Sequence, residues 1–241
     1  MNNKLRIDKK NIRIFGSLLL IVLTLFISFF TYRYIENKNK NSNIVGLDIN
    51  NLPEYKGKSY VVINNNEPNF EKSELVPKSF EKYSELDSLK RCGVADSIIG
   101  KDLMPTSKRE SISSVKPSGW KSIKYNGIKG GNLYNRCHLI GFQLAGENAN
   151  KRNLITGTRY LNTKGMLPFE NIVTDYVKET NNHVRYRVTP IFVGNELVAR
   201  GVQIEAISIE DNGKAIKFNV YCFNVQPNIE IDYKTGDSRR R

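Results

Sequence analysis

Tyr134-Asn135-Arg136-Cys137-His138-Leu139-Ile140-Gly141-Phe142 reads as a strand running into a turn, with Asn153 and Asn162 downstream of it. His138 is one of only two histidines in the chain. An imidazole titrates near neutral pH and can take a proton from water. Arg136, two residues earlier, shares its strand face with His138, and a guanidinium can hold a phosphate through paired hydrogen bonds. An asparagine carbonyl is a hard, neutral oxygen donor of the kind that suits Mg²⁺. A base, a phosphate clamp and a metal donor are what hydrolysis of a phosphodiester requires.

Outward from this stretch the pattern is that of an α+β domain with a central antiparallel sheet. Residues 165–180 carry Met166, Phe169, Ile172, Val173, Tyr176 and Val177 at helical spacing, with Pro168 tolerated in the first turn. Three strand-like runs follow, over 184–193, 197–209 and 215–225. Gly194-Asn195 and Asp211-Asn212-Gly213 separate them as hairpin turns. The alternation through Val202, Ile204, Ala206 and Ile207 is imperfect, which predicts a bulge there. Upstream, Tyr60 to Asn64 is a short β-rich run ending in the turn cluster Asn64-Asn65-Asn66-Glu67-Pro68. Residues 83–99 are expected to hold a short helix with Leu86, Leu89 and Val94 on its apolar side. Pro105, Pro117 and Gly119 mark a long loop, with Trp120 expected as a core anchor.

The chain has 241 residues and a formal net charge of +13, which suits a polyanionic partner or an anionic surface. Three scattered cysteines exclude a disulfide framework, although Cys92 and Cys222 could still pair. No Cys-x-x-Cys pair or His/Cys cluster points to zinc. Residues 14–32 are uncharged and long enough to span a bilayer, and Lys4, Arg6, Lys9, Lys10 and Arg13 precede them. The expected organisation is a cytoplasmic tail (1–13), a transmembrane signal anchor (14–32), an Asn/Lys-rich linker (33–55) and a domain (56–241) outside the cell membrane. Secretion after cleavage is the alternative; small residues in an Ala-x-Ala-like pattern are missing after the run.

Each candidate residue also has a plainer reading. His138, followed by Leu139, Ile140 and Phe142, could be a structural histidine. Asn162 could be a helix N-cap, Asn153 a turn residue, and Glu170 a solvated helix glutamate facing roughly as Asn162 does. Lys151 and Arg152 could contact phosphates or be ordinary surface charges. Cys137 points to the opposite strand face from His138, so the two cannot form a local thiolate–imidazole pair.

Asn135-Arg136-Cys137-His138 resembles the Asp-Arg-Gly-His signature of the DNA/RNA non-specific endonucleases, the ββα-metal nucleases. The likeness extends to Asn153 and Asn162, nine residues apart, as in the streptococcal secreted and membrane-bound members. It continues through the helix with Glu170 and the strand with Val188-Thr189-Pro190, covering roughly residues 60–233. The resemblance implies a ββα-metal nuclease fold with His138 as general base and Asn162 as the single protein ligand of Mg²⁺, for which Mn²⁺ can substitute. It implies Arg136 at the phosphate, Glu170 positioning metal-bound water, and Asn153 shaping the site or contacting substrate. The substrate would be DNA, and RNA with it, cut to leave 5′ phosphates. Asn135 departs from the acidic residue of the signature and Cys137 from its glycine. The competing expectations are a non-catalytic surface receptor for DNA or another polyanion, and a thiol hydrolase built on one cysteine.

Overall fold

The computed structural model describes residues 47–241. The tail, the membrane segment and most of the linker expected above lie outside the described residues; no helix among those described is long and apolar enough to cross a membrane. Within the stretch read as linker, Leu47 is buried and Tyr55 packs edge-on against Tyr160 and Phe223.

The centre is a six-stranded antiparallel sheet. Its strands are β1 (Tyr60–Val62), β2 (Phe80–Tyr83), β3 (Ala95–Ile99), β6 (Val184–Ile191), β7 (Gly201–Ser208) and β8 (Lys217–Phe223), in the order β1-β8-β7-β6-β3-β2. A separate pair, β4 (Tyr134–His138) and β5 (Leu154–Thr158), is joined through a single helical turn, α1 (Phe142–Ala145). After β5 comes a π-helical turn (Leu161–Met166) that runs into α2 (Leu167–Thr180). Strands β9 (Ile229–Ile231) and β10 (Ser238–Arg240) form a small sheet near the end of the chain.

The expected amphipathic helix and the three-strand meander are present. Met166, Phe169, Val173 and Val177 pack against Val184, Tyr186, Val188, Val202, Ile204 and Ala206 in the main core. Ile172 is 49% exposed, off the buried stripe, because it lies about 100° around the helix from Val173. Gly194, Asn212 and Gly213 have positive φ in the two turns. Pro190 in β6 lies past the last residue paired with β3, where β6 has a neighbour on one side only.

Two expectations need correction. Residues 83–99 form a β-hairpin, β2 to β3, not a helix. Asp87 accepts from Leu89 N, Arg91 N and Arg91 Nε, and Lys90 adopts φ +62°, so the middle of that stretch is a tight turn. The bulge in β7 is also absent: its register runs unbroken from Gly201 to Ile207 against both neighbours. The alternation is imperfect because both faces are covered. Val202, Ile204 and Ala206 face the core with α2. On the other face, Glu205 accepts from Arg187 Nε at 2.9 Å and Asn69 N at 2.8 Å, and Gln203 donates to Asn219 at 2.9 Å. On the same sheet Arg185 bonds Asp96 and Glu74, and the rings of Phe70 and Phe80 stack on its guanidinium. Buried charge is thus paired and hydrogen-bonded on that face, as burial requires.

Candidate active site

β4 and β5 are antiparallel, with Arg136 opposite Thr156 and His138 opposite Leu154. Cys137 points away from the site into the core, as strand alternation demands. The space for its sulfur comes from Gly157 on β5, where a Cβ would lie 2.3 Å from Cys137 Sγ. All three cysteines are free and buried, so the Cys92–Cys222 pairing does not occur. Burial pushes the Cys92 thiol up to about 12 and the Cys137 and Cys222 thiols well above their ordinary values. A thiolate nucleophile is therefore disfavoured at each.

His138 is only 5% exposed. Its Nε2–H donates to the carbonyl of Asn148 at 2.8 Å, and Arg109 Nη2 donates to Nδ1 at 3.3 Å. These partners assign the neutral tautomer with the proton on Nε2 and the lone pair on Nδ1. Burial holds the imidazole below its ordinary pKa; the Asn148 carbonyl opposes that shift and the charge of Arg109 adds to it. A neutral ring with a directed lone pair is the form a general base needs.

The turn after His138 is fixed by Asn153. That side chain is fully buried, accepting from Ile140 N at 2.9 Å and donating to Ile140 O at 3.0 Å. Bonded at both ends of its amide and fully buried, Asn153 braces the turn after His138 from within and presents no exposed group. Lys151 and Arg152 sit in the adjacent turn, with Arg152 bonded to Glu85 and neither residue on the groove described next.

Beside β4 lies an open groove of about 640 Å³. Arg109, Lys116, Lys121, Arg136 and Arg159 line it together with Asn162, Trp120 and Tyr134, and among the described residues no carboxylate does. Arg136 donates to the carbonyls of Val115 and, at 2.8 Å, Ser113, and its guanidinium lies 4.1 Å from the centre of the Trp120 ring. Trp120 is half-buried against the cluster of Leu133, Tyr134 and Ile229, so it serves as a wall of the groove more than as the core anchor expected.

Asn162 lies in the π-helical turn. Neither that turn nor α2 has a side-chain N-cap; instead Thr158 Oγ1 accepts from Leu161 N at 2.9 Å. The cap reading of Asn162 is thus replaced by one in which its side-chain amide lines the groove with no hydrogen-bond partner among the described residues. π-Helical segments of this kind often sit at functional positions because they re-aim one residue. Among the described residues no group of three or more His, Cys, Asp or Glu is placed to hold a metal. A single amide oxygen fits a hard cation that keeps most of its waters, and does not fit a cage for a soft ion.

Glu170 is 9% exposed, on the inner side of α2, with its carboxyl against Gly141. A Cβ at Gly141 would lie 2.7 Å from Glu170 Oε2, which explains glycine there. Burial pushes the Glu170 carboxyl up to about 7 against the pull of Arg109. Arg109 therefore lines the groove and bonds the imidazole, and its charge acts on the buried carboxyl without an ion pair among the described residues. Neither Arg109 nor Asn148 follows from the sequence pattern; one lies 29 residues before His138 and the other 10 after it, in loops with no regular spacing to it.

The family model for DNA/RNA non-specific endonuclease matches residues 68–209. A deoxyribonuclease from Streptococcus dysgalactiae subsp. equisimilis is 28% identical over 64% of this chain, which spans 59% of that relative's length. NucA from Streptococcus agalactiae, solved with magnesium bound, aligns at a TM-score of 0.69 and 25% identity, covering 86% of this chain and 96% of NucA. Sda1 nuclease, solved with zinc bound, aligns at 0.63 and 28% identity, covering 76% of this chain and 97% of its own.

Proposed function

The chain belongs to the DNA/RNA non-specific endonuclease family, and from that premise we propose that it is a metal-dependent endonuclease hydrolysing phosphodiester bonds of DNA, and of RNA, without sequence preference. The observation that carries the reading is His138, held neutral and bonded at Nδ1 by Arg109, which itself lines a groove with four other cations and, among the described residues, no carboxylate. Phosphate contacts of that kind position a backbone without reading bases.

His138 takes a proton from the attacking water at Nδ1 as Arg109 Nη2 leaves that nitrogen for the phosphate, while its Nε2–H stays on the Asn148 carbonyl and fixes the ring. Arg109 and Arg136 orient the phosphate and stabilise charge that builds on its oxygens. Asn162 is the residue that would hold the divalent ion, Mg²⁺ with Mn²⁺ as substitute. That ion, when bound, supplies positive charge to the phosphate and the departing 3′ oxygen. Glu170, ionised, positions water in this site. The product strand carries the 5′ phosphate. We place the domain outside the cell, held to the membrane by residues 14–32.

Plasmid DNA incubated with the full 241-residue chain should be nicked with Mg²⁺ and left intact with EDTA. His138→Ala should lower the rate by at least about 10²-fold, the usual scale of a lost general base. Full metal-dependent nicking by His138→Ala would overturn the mechanism. Salt-sensitive DNA binding without cleavage at any Mg²⁺ or Mn²⁺ level would mean a polyanion receptor.

A further inference from the structure

The two ring nitrogens of His138 are held by different segments, and one residue stands behind both. The loop after α1 passes Asn148, whose backbone carbonyl accepts from His138 Nε2 at 2.8 Å. The side chain of the same residue turns the other way, and its Oδ1 accepts from Glu110 N at 2.9 Å. Glu110 follows Arg109, whose Nη2 donates to His138 Nδ1 at 3.3 Å. The two loops lie side by side before this point: a Cβ on Gly146, which has φ +67°, would sit 3.5 Å from Pro105 Cα.

We propose that Asn148 is a positioning residue for His138 that sets the imidazole at both nitrogens, Nε2 through its backbone carbonyl and Nδ1 through its side-chain hold on the Arg109 segment. The inference rests on the reading of His138 as general base. Without Oδ1, the backbone at Glu110 loses its hydrogen bond to the histidine loop. Arg109 is a long side chain with much rotamer freedom, and its guanidinium is no longer delivered to one place. The base then keeps its tautomer, since the Asn148 carbonyl stays, and the guanidinium parked on Nδ1, from which it orients the phosphate, is no longer in place. Small displacements of a reacting group of this sort can lower a rate up to about 10²-fold.

Asn148→Ala and Asn148→Asp in the full chain separate this role from a bracing one. Asp keeps an acceptor for Glu110 N; Ala does not. In Asn148→Ala, kcat on plasmid DNA should fall about tenfold with KM within about twofold. Long-range ¹H–¹⁵N spectra should show the His138 Nδ1 resonance moving toward that of an unbonded imidazole nitrogen, with Nε2 still protonated. Asn148→Asp should restore both. An unmoved Nδ1 resonance, an unchanged kcat, or an Asp variant indistinguishable from Ala would each overturn the inference. If His138→Ala proved fully active, the assignment of the base would fail instead; the Nδ1 resonance, read without substrate or metal, would still decide whether Asn148 sets the ring.

Discussion

Gly157 and Cys137 answer each other across the β4–β5 pair. The nuclease signature commonly has glycine where Cys137 stands, and the room its sulfur needs is supplied by the missing side chain of Gly157. Gly157→Ala should therefore destabilise the protein by about 1–3 kcal/mol, the usual cost of overpacking. In a Cys137→Gly background the same change should be close to neutral. Denaturant midpoints of the four chains in the cycle check this, and additive effects would contradict it. Glu170 carries the second residue-scale prediction. Its folded carboxyl is raised by burial to about 7 from the ordinary 4.5. A raised pKa contributes stability that is fully present below the unfolded value and is lost as pH rises through the folded one. Glu170→Gln has no such loss. Relative to wild type, with chelator present, Glu170→Gln should gain on the order of 3 kcal/mol between pH 4.5 and pH 8.5. Urea unfolding at the two pH values tests the sign, and a gain toward acid would contradict it.

Loop 105–132 has little regular structure, and Arg136 is what β4 contributes to its order. The guanidinium reaches the carbonyls of Ser113 and Val115 and stacks on Trp120. Lysine cannot reproduce that fork. Arg136→Lys should therefore speed tryptic cleavage after Lys108, Arg109 and Lys121, by about fivefold if the tether is worth about 1 kcal/mol. Unchanged cleavage would show that the loop is ordered from elsewhere. The same element separates what was legible in the sequence from what was not. Helix α2, the meander β6–β8, and the neighbourhood of Arg136 and His138 announce themselves through local periodicity. The β2–β3 hairpin does not, because Leu86, Leu89 and Val94 mimic helical spacing. The polar residues of β3 find partners only in tertiary space; Asp96, for one, bonds Arg185 of β6. Asn162 was legible as a residue, but the π-helical turn that frees its amide was not. Asn153 was recognised, while its burial, and with it the loss of any substrate contact, required the packing.

At the scale of the molecule, the charge of +13 is spread over the chain, and five cations are gathered in one groove. Binding of duplex DNA by the His138→Ala chain in EDTA should fall with salt, with a log–log slope of up to about −4.5 if each of the five neutralises one phosphate. Lys116→Gln should flatten it by about 0.9, and a slope near zero would remove the groove from substrate binding.

The order of strands in the sheet has a bearing on synthesis. Residues 60–62 pair only with residues 220–222, while β6, β7 and β8, the floor under α2, come late in the chain. His138, Asn162 and Glu170 are all made before that floor exists. A chain interrupted between residues 170 and 217 therefore holds every proposed chemical group and lacks the strand that closes the sheet. Such fragments, made as nested truncations, should nick no plasmid, so a ribosome carrying a half-made chain would carry no working nuclease.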